Sequence, residues 1–422
     1  MIRPACWGRA VTLICLLWAG ISDSFSQLTA TGNLEEYIST KIVALPSSGT
    51  NVYEDPSPEE MQAWESAFKT LLQGNISQSQ DLFAAIQYSL IIYSDTESEK
   101  DYFIIEKEGS SQNHWGLYIL NPSPCRENLI IQSPHPKFDT NTGYQGLYTF
   151  LELESRAYFL SGTHRCNSGV NSPCSGSTGA CGSSGPYKIS DPAHNSSGIF
   201  QLMTALFLED NKESIFIQFH GFGKQSGDPN AILSNGTRLT PQNDHISKLV
   251  DEMTVDEPTL SFKVGHLDLS WDRLLAFTNT QGRMINGSDL PCTSASTTGN
   301  GQFIHIEQEL SLFRSSKSGW SKWVGPMSRT FPCDGEVLSA GETQGNLFTV
   351  FPNPVKSFVS FSLPSVAKRI TILNTVGQQV ACFESGLWKE IDLSDLVMGT
   401  YIYHISDGYG KRLFTGKLIK SQ

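Results

Sequence analysis

Four short apolar runs, each ending in a polar residue able to do chemistry, constrain this chain more than any other feature. Leu129-Ile130-Ile131 leads through Ser133-Pro134 to His135 and, three residues further on, Asp139. Ala157-Tyr158-Phe159-Leu160 leads to His164 and Arg165, Ser214 to Phe219 ends in His220-Gly221, and Gln302 to Ile306 ends in Glu307. Runs this apolar read as strands covered on both faces. Gly143 to Leu153 reads as a helix, and Ser190-Asp191 as the cap of another that runs to about Glu209 with His194 in its first turn. Strands alternating with helices predict an α/β fold, a mostly parallel mixed sheet flanked by helices. In such sheets the ligand site lies beyond the carboxyl ends of the strands. A single histidine is more often a hydrogen-bonded structural residue than a ligand, so the repeated placement carries the reading.

The remaining sequence sets the context. Arg3 and Arg9 precede an apolar stretch, Ala10 to Ile21, and then Ser24-Phe25-Ser26. This predicts a signal peptide over 1–26, an exported chain starting near Gln27, and no transmembrane segment after its removal. A net charge of −12 provides no basic footprint for nucleic acid. Six cysteines (Cys125, Cys166, Cys174, Cys181, Cys292, Cys333) lie in the central region, with Cys382 left over. In an exported chain they read as disulfides of unreadable pairing that pin the Gly/Ser-rich loop around Cys166, Cys174 and Cys181. Residues 27–87 read as a polar lead-in followed by a helix over Pro58 to Leu72, and 88–333 as the α/β domain. Its first strands, from Tyr88, Tyr102 and Trp115, pair antiparallel.

His135 and Asp139 offer an imidazole nitrogen and a carboxylate oxygen, both good zinc ligands, and a catalytic zinc takes three protein ligands and keeps one position open. The order His-x3-Asp, Arg, His at a strand end, then Glu resembles the zinc carboxypeptidase and N-formylglutamate amidohydrolase group. The resemblance rests on SPHPKFDTNTG, SGTHRC, SDPAH, QFHGFG and QFIHIEQ, all within 133–309. It implies a phosphorylase/hydrolase-like sheet with Zn2+ on His135, Asp139 and His220. Glu307 would be the base that activates water, and Arg165 would hold a substrate carboxylate or the developing oxyanion. The carboxypeptidases of that group carry His-x2-Glu where this chain has His-x3-Asp. Glu309, two residues beyond Glu307 on the same strand face, is the alternative base. His164 and His194 are expected to contact substrate or orient a ligand.

Residues 334–345 are polar and aperiodic and read as a linker. From 346 to 422 short alternating runs separated by turns such as Asn374-Thr375-Val376-Gly377 and Asp407-Gly408 predict a small all-β sandwich. Phe351-Pro352-Asn353-Pro354-Val355, Met398-Gly399-Thr400-Tyr401 and Gly416-Lys417-Leu418-Ile419-Lys420 resemble the type A sorting domain of the type IX secretion system. That resemblance implies a Bacteroidota-type bacterium, the type IX secretion machinery as partner, passage through the periplasm, and release or display at the outer-membrane surface. It also implies that Asn75, Asn195, Asn235 and Asn286 carry no eukaryotic glycan. The expectation is a secreted zinc-dependent hydrolase of an amide in a small-molecule or peptide substrate. The alternatives are a non-catalytic binding protein on the same scaffold and an adhesive surface protein with merely packed histidines.

Overall fold

The computed structural model describes residues 27–109, 111–333, 349–362, 368–374, 378–384, 391–406 and 412–421. The expected signal peptide over 1–26, the expected linker over 334–345, residues 375–377 of the first hairpin turn and the Asp407-Gly408 turn lie outside them. In chain order the first unit comprises β1 (Thr29–Gly32), α1 (Leu34–Ala44), α2 (Pro58–Leu72), α3 (Ile76–Ala84), β2 (Tyr88–Asp95), β3 (Asp101–Lys107), β4 (Leu117–Leu120), β5 (Arg126–Ser133), α4 (Thr142–Glu152) and β6 (Ser155–Leu160). It continues with α5 (Ile199–Asp210), β7 (Ile215–Gly221), β8 (Ala231–Ser234), α6 (His245–Asp256), β9 (Phe262–Val264), α7 (Thr280–Ile285), β10 (Phe303–Gln308) and α8 (Lys317–Thr330).

The strands form one ten-stranded sheet in the order β1-β2-β3-β4-β6-β5-β7-β10-β8-β9. Parallel pairings (β1–β2, β6–β5, β5–β7, β7–β10, β8–β9) outnumber antiparallel ones (β2–β3, β3–β4, β4–β6, β10–β8). Strand alternation sorts the core. Ile131, Ile217, Phe219, Ile304 and Ile306 pack under α1, α4, α6 and α8. Ile130, Phe216 and Phe303 pack under α2, α3, α5 and α7. Burial on both faces explains the near-continuous apolar runs of the central strands.

The polar lead-in expected before residue 57 is part of this unit. Asn33 caps α1 by accepting from Glu36 N–H, and the four-residue spacing of Leu34, Ile38 and Ile42 places all three in the core. β1 adds an edge strand to β2. The helix over Pro58–Leu72 forms as expected, started by a capping box between Ser57 and Glu60.

The second unit holds β11 (Thr349–Phe351), β12 (Phe358–Ser362), β13 (Arg369–Leu373), β14 (Gln379–Glu384), β15 (Ile391–Asp392), β16 (Gly399–Ser406) and β17 (Arg412–Lys420). Two antiparallel sheets, β11-β12-β15 and β14-β13-β16-β17, share a core that includes Val359, Phe361, Ile391, Ile370, Ile372, Tyr403 and Leu418. This is the expected sandwich. No helix among the described residues is long and apolar enough to cross a membrane.

Candidate metal centre and active site

The site is built on β5, β7 and β10, three adjacent parallel strands whose carboxyl ends point the same way. Register aligns Glu307 with His220, and one row deeper it aligns His305 with Gln218 and Gln218 with Gln132. His135 lies just past the end of β5. Its carbonyl accepts the Asp139 N–H at 2.9 Å, so the three intervening residues make one helical turn that returns the Asp139 side chain onto the His135 ring. This is why a His-x3-Asp spacing can act as a pair.

Three electron-pair donors converge. His135 Nδ1 lies 3.2 Å from Asp139 Oδ2 and 3.2 Å from His220 Nδ1. His220 Nδ1 lies 3.5 Å from Asp139 Oδ2. Hydrogen bonding on the far side of each ring sets its tautomer. His135 Nε2 donates to Asp191 Oδ1 at 2.8 Å. Gln281 Nε2 donates to the Pro192 carbonyl, which turns Gln281 Oε1 toward Gln218 Nε2, and Gln218 Oε1 toward Asn279 Nδ2 and His220 Nε2. His220 Nε2 is therefore the donor, and both Nδ1 lone pairs face the carboxylate. Only a proton or a cation can sit among three such atoms. A tetrahedral zinc sets its nitrogen and oxygen donors roughly 3.3–3.5 Å apart, so the donor set fits that ion. The carboxylate and amide behind the two rings are the outer partners that a metal-ligating histidine needs.

The electrostatics agree. Burial opposes ionisation of Asp139, but its interactions with the His135 and His220 rings outweigh it and hold the carboxyl well below its usual range. Burial pushes His220 down to about 4. Burial and Arg165 also lower His135, yet Asp191 and Asp139 prevail and raise it. Without a metal, the site's proton therefore belongs to His135. Glu307 is pushed up to about 8, first by burial and then by the charge of Asp139. Its Oε2 has no hydrogen-bond partner.

These groups open into a cleft of about 320 Å³ walled by Tyr187, by Ser177 and Thr178, and by the segment 274–279. Leu274 and Ala276 in that segment have positive φ, of 60° and 57°, a conformation that costs a side-chain-bearing residue about 1–2 kcal/mol. Disulfides Cys166–Cys181 and Cys174–Cys292 hold the loop carrying Ser177 and Thr178, and Cys125–Cys333 closes the unit. Cys382 is free and exposed. A larger cavity of about 430 Å³ beside the end of α1, lined by Lys41, Glu106 and His114, holds none of the converging residues.

The structure brings together His135, Asp139, His220, Glu307, Arg165 and His194. Arg165 is committed elsewhere than expected. Its Nε and Nη2 bond Asp191, and Nη1 faces His135 Nδ1 at 3.4 Å. His194 shares Asp191 and stacks on Tyr187 at 3.6 Å. His164 does not line the cleft. Its Nδ1 accepts from Cys166 N–H, and its ring packs on Phe138. Glu309 is bound by Asn230, Ser311 and Lys224. Asp191 is the main residue the sequence reading missed. It was expected to cap a long helix, but only a short 3-10 turn, Pro192–His194, follows, and α5 starts at Ile199. The carboxylate instead ties His135, Arg165 and His194 together. Two further residues were overlooked. His305 was legible from its two-residue offset from Glu307. Arg314 bonds the carbonyls of Gln308, Thr140 and Phe222, and a Cβ on Gly221 would meet its guanidinium, so a larger residue after His220 would have to push that side chain off its carbonyls.

Residues 349–421 match the family of secretion system C-terminal sorting domains. This tail marks the chain as a secreted or cell-surface protein. No curated protein matches the chain. Two solved structures share remote similarity. N-formylglutamate amidohydrolase from Ralstonia eutropha JMP134 is 10% identical with a TM-score of 0.30, over 52% of this chain and 96% of that one. A candidate carboxypeptidase A from Shewanella denitrificans OS-217 is 11% identical with a TM-score of 0.25, over 60% and 66%. Similarity this remote says nothing about chemistry, which rests on the site itself.

Proposed function

We propose that this chain is a secreted zinc-dependent hydrolase that cleaves an amide bond in a peptide or amino-acid-derived substrate. The supporting observation is the convergence of His135 Nδ1, Asp139 Oδ2 and His220 Nδ1, three buried donors with at most one proton to share among them, beside a glutamate whose Oε2 has no partner. Zinc held there would polarise a carbonyl and acidify water. Glu307 is the base that takes the proton of the attacking water and returns it to the departing nitrogen. Its raised pKa suits that exchange near neutrality. Arg165, anchored by Asp191, keeps one nitrogen near the cleft for a substrate carboxylate or oxyanion. His194 and Tyr187 form a wall against which substrate packs. Export follows the type IX route through the periplasm, with a signal peptide over 1–26 removed, in a Bacteroidota-type cell.

Metal analysis of the purified chain tests this reading. One zinc per chain is expected in the wild type and none in His220→Ala. Glu307→Gln should keep the zinc and lose roughly 10²- to 10⁴-fold in turnover on a panel of N-acyl amino acids and dipeptides. A wild type that binds no zinc refutes the proposal. A zinc-loaded chain that turns over no amide leaves the non-catalytic binding protein.

A further inference from the structure

His305 lies two residues before Glu307 on the same face of β10, lines the cleft, and is only 4% exposed. Its ring lies over that of His220, centroids 4.3 Å apart. Among the described residues it hydrogen-bonds to no protein group. Nδ1 is sealed from solvent without a partner. Nε2 faces Glu307 Oε1 at 3.7 Å, beyond hydrogen-bond distance. A buried polar group left unpaired is costly, and a sealed N–H is rarer in proteins than a sealed acceptor. The neutral ring therefore carries its proton on Nε2, on the side where the cleft can supply an acceptor. Arg165, the other donor at hand, has already committed Nε and Nη2 to Asp191.

We propose that His305 Nε2–H is a catalytic hydrogen-bond donor that holds the oxygen of the scissile acyl group, the atom that becomes the oxyanion, next to Glu307. The assignment rests on the hydrolase reading and narrows it, because substrates are then selected for an acyl oxygen that reaches the cleft floor. Neutral imidazole acting as an electrophile is a known way to stabilise such charge. Simple packing on His220 would make the same ring contact but would need no N–H.

Inorganic phosphate, a tetrahedral oxyanion, serves as probe with the zinc-loaded full-length chain, read by calorimetry alongside zinc content. The wild type should bind phosphate. His305→Phe, which keeps the ring and loses the donor, should retain one zinc per chain and bind phosphate roughly 10- to 100-fold more weakly, the worth of one hydrogen bond to a charged group. His305→Gln, which keeps an N–H, should recover most of that loss. Equal phosphate affinity in wild type and His305→Phe overturns the assignment, as does a wild type that ignores phosphate. Loss of zinc from His305→Phe makes His305 a ligand instead and also overturns it. Absence of zinc from the wild type is a separate result that removes the hydrolase reading itself, and this assignment with it. Long-range 1H–15N spectra of the wild type guard against a variant that does not fold: a proton on Nδ1 of His305 refutes the assignment without any substitution.

Discussion

At the scale of single residues, the candidate site is a competition between protons and a metal. The raised pKa of His135 means that a proton occupies the donor cluster in the metal-free chain. Zinc must displace it, so affinity should strengthen as pH rises through the His135 titration, and binding near pH 6.5 should release about one proton. Calorimetry in buffers of different ionisation enthalpy reads this directly, and zinc binding without proton release would count against the cluster. Glu307 supplies a second test. Its carboxyl rises from an ordinary 4.5 to about 8 on folding, so the folded chain keeps a proton that the unfolded chain gives up. The stabilisation this group supplies is complete below pH 4.5 and is lost as pH climbs through about 8. Glu307→Gln cannot ionise. In the metal-free chain it should gain roughly 1–3 kcal/mol over wild type at pH 8 and almost nothing at pH 4.5. Equal unfolding midpoints for both proteins at pH 8 would show that the buried carboxyl is not under strain. Asp191 reaches the donor cluster through His135, while also holding Arg165 and His194, so Asp191→Asn should weaken zinc roughly 10- to 100-fold without abolishing it. A zinc titration of that variant checks the figure.

At the scale of elements, the strand ends were legible because apolar runs cannot be solvated and must be covered. The loops between them were not. Which residues wall the cleft depends on how the segment after Cys166 is tied down, and cysteine spacing leaves that pairing open. Cys166–Cys181 closes a loop of separation 15, worth about 3 kcal/mol by restriction of the unfolded chain. Replacing both cysteines with serine should lower stability by about that amount, measured by denaturant unfolding, while zinc stoichiometry holds, since no ligand lies within the loop. Loss of zinc in that double variant would show that the loop shapes the metal centre. Three of the four glycosylation sequons also prove structural. Asn195, Asn235 and Asn286 are buried, and their side-chain amides donate to carbonyls.

At the scale of the whole molecule, the potential metal-binding groups among the described residues all lie in the first unit, and the described part of the sandwich holds none. We expect a chain truncated after residue 340 to bind zinc with unchanged stoichiometry. A chain cut to 88–333 should behave differently. It loses β1, α1 and α2, and with them Leu34, Ile38, Ile42, Trp64 and Phe68, which fill both sides of the sheet. Exposing that much apolar surface costs several kcal/mol at about 25 cal/mol per Å², comparable with the net stability of a domain, so this shorter chain should be insoluble or unfolded. A soluble, zinc-binding 88–333 fragment would refute the integration of the N-terminal residues.

The sequence by itself determined the α/β class, the sandwich tail and the strand-end positions of His135, His220 and Glu307, because periodicity and composition are local properties. It also carried the His-x3-Asp pair, since one helical turn brings residues four apart together wherever that turn lies. The tertiary structure alone decided what each side chain touches. Asp191 looks like a helix cap in sequence, yet it is spent on His135, Arg165 and His194, since a buried carboxylate goes to whichever cations and donors the fold places beside it. Residues 27–44 look polar, yet they join the sheet, because three apolar residues at helical spacing suffice once a sheet face is there to receive them. The two-residue offset already puts His305 beside Glu307, but only the parallel register of β7 and β10 lays its ring against His220 with a nitrogen left over.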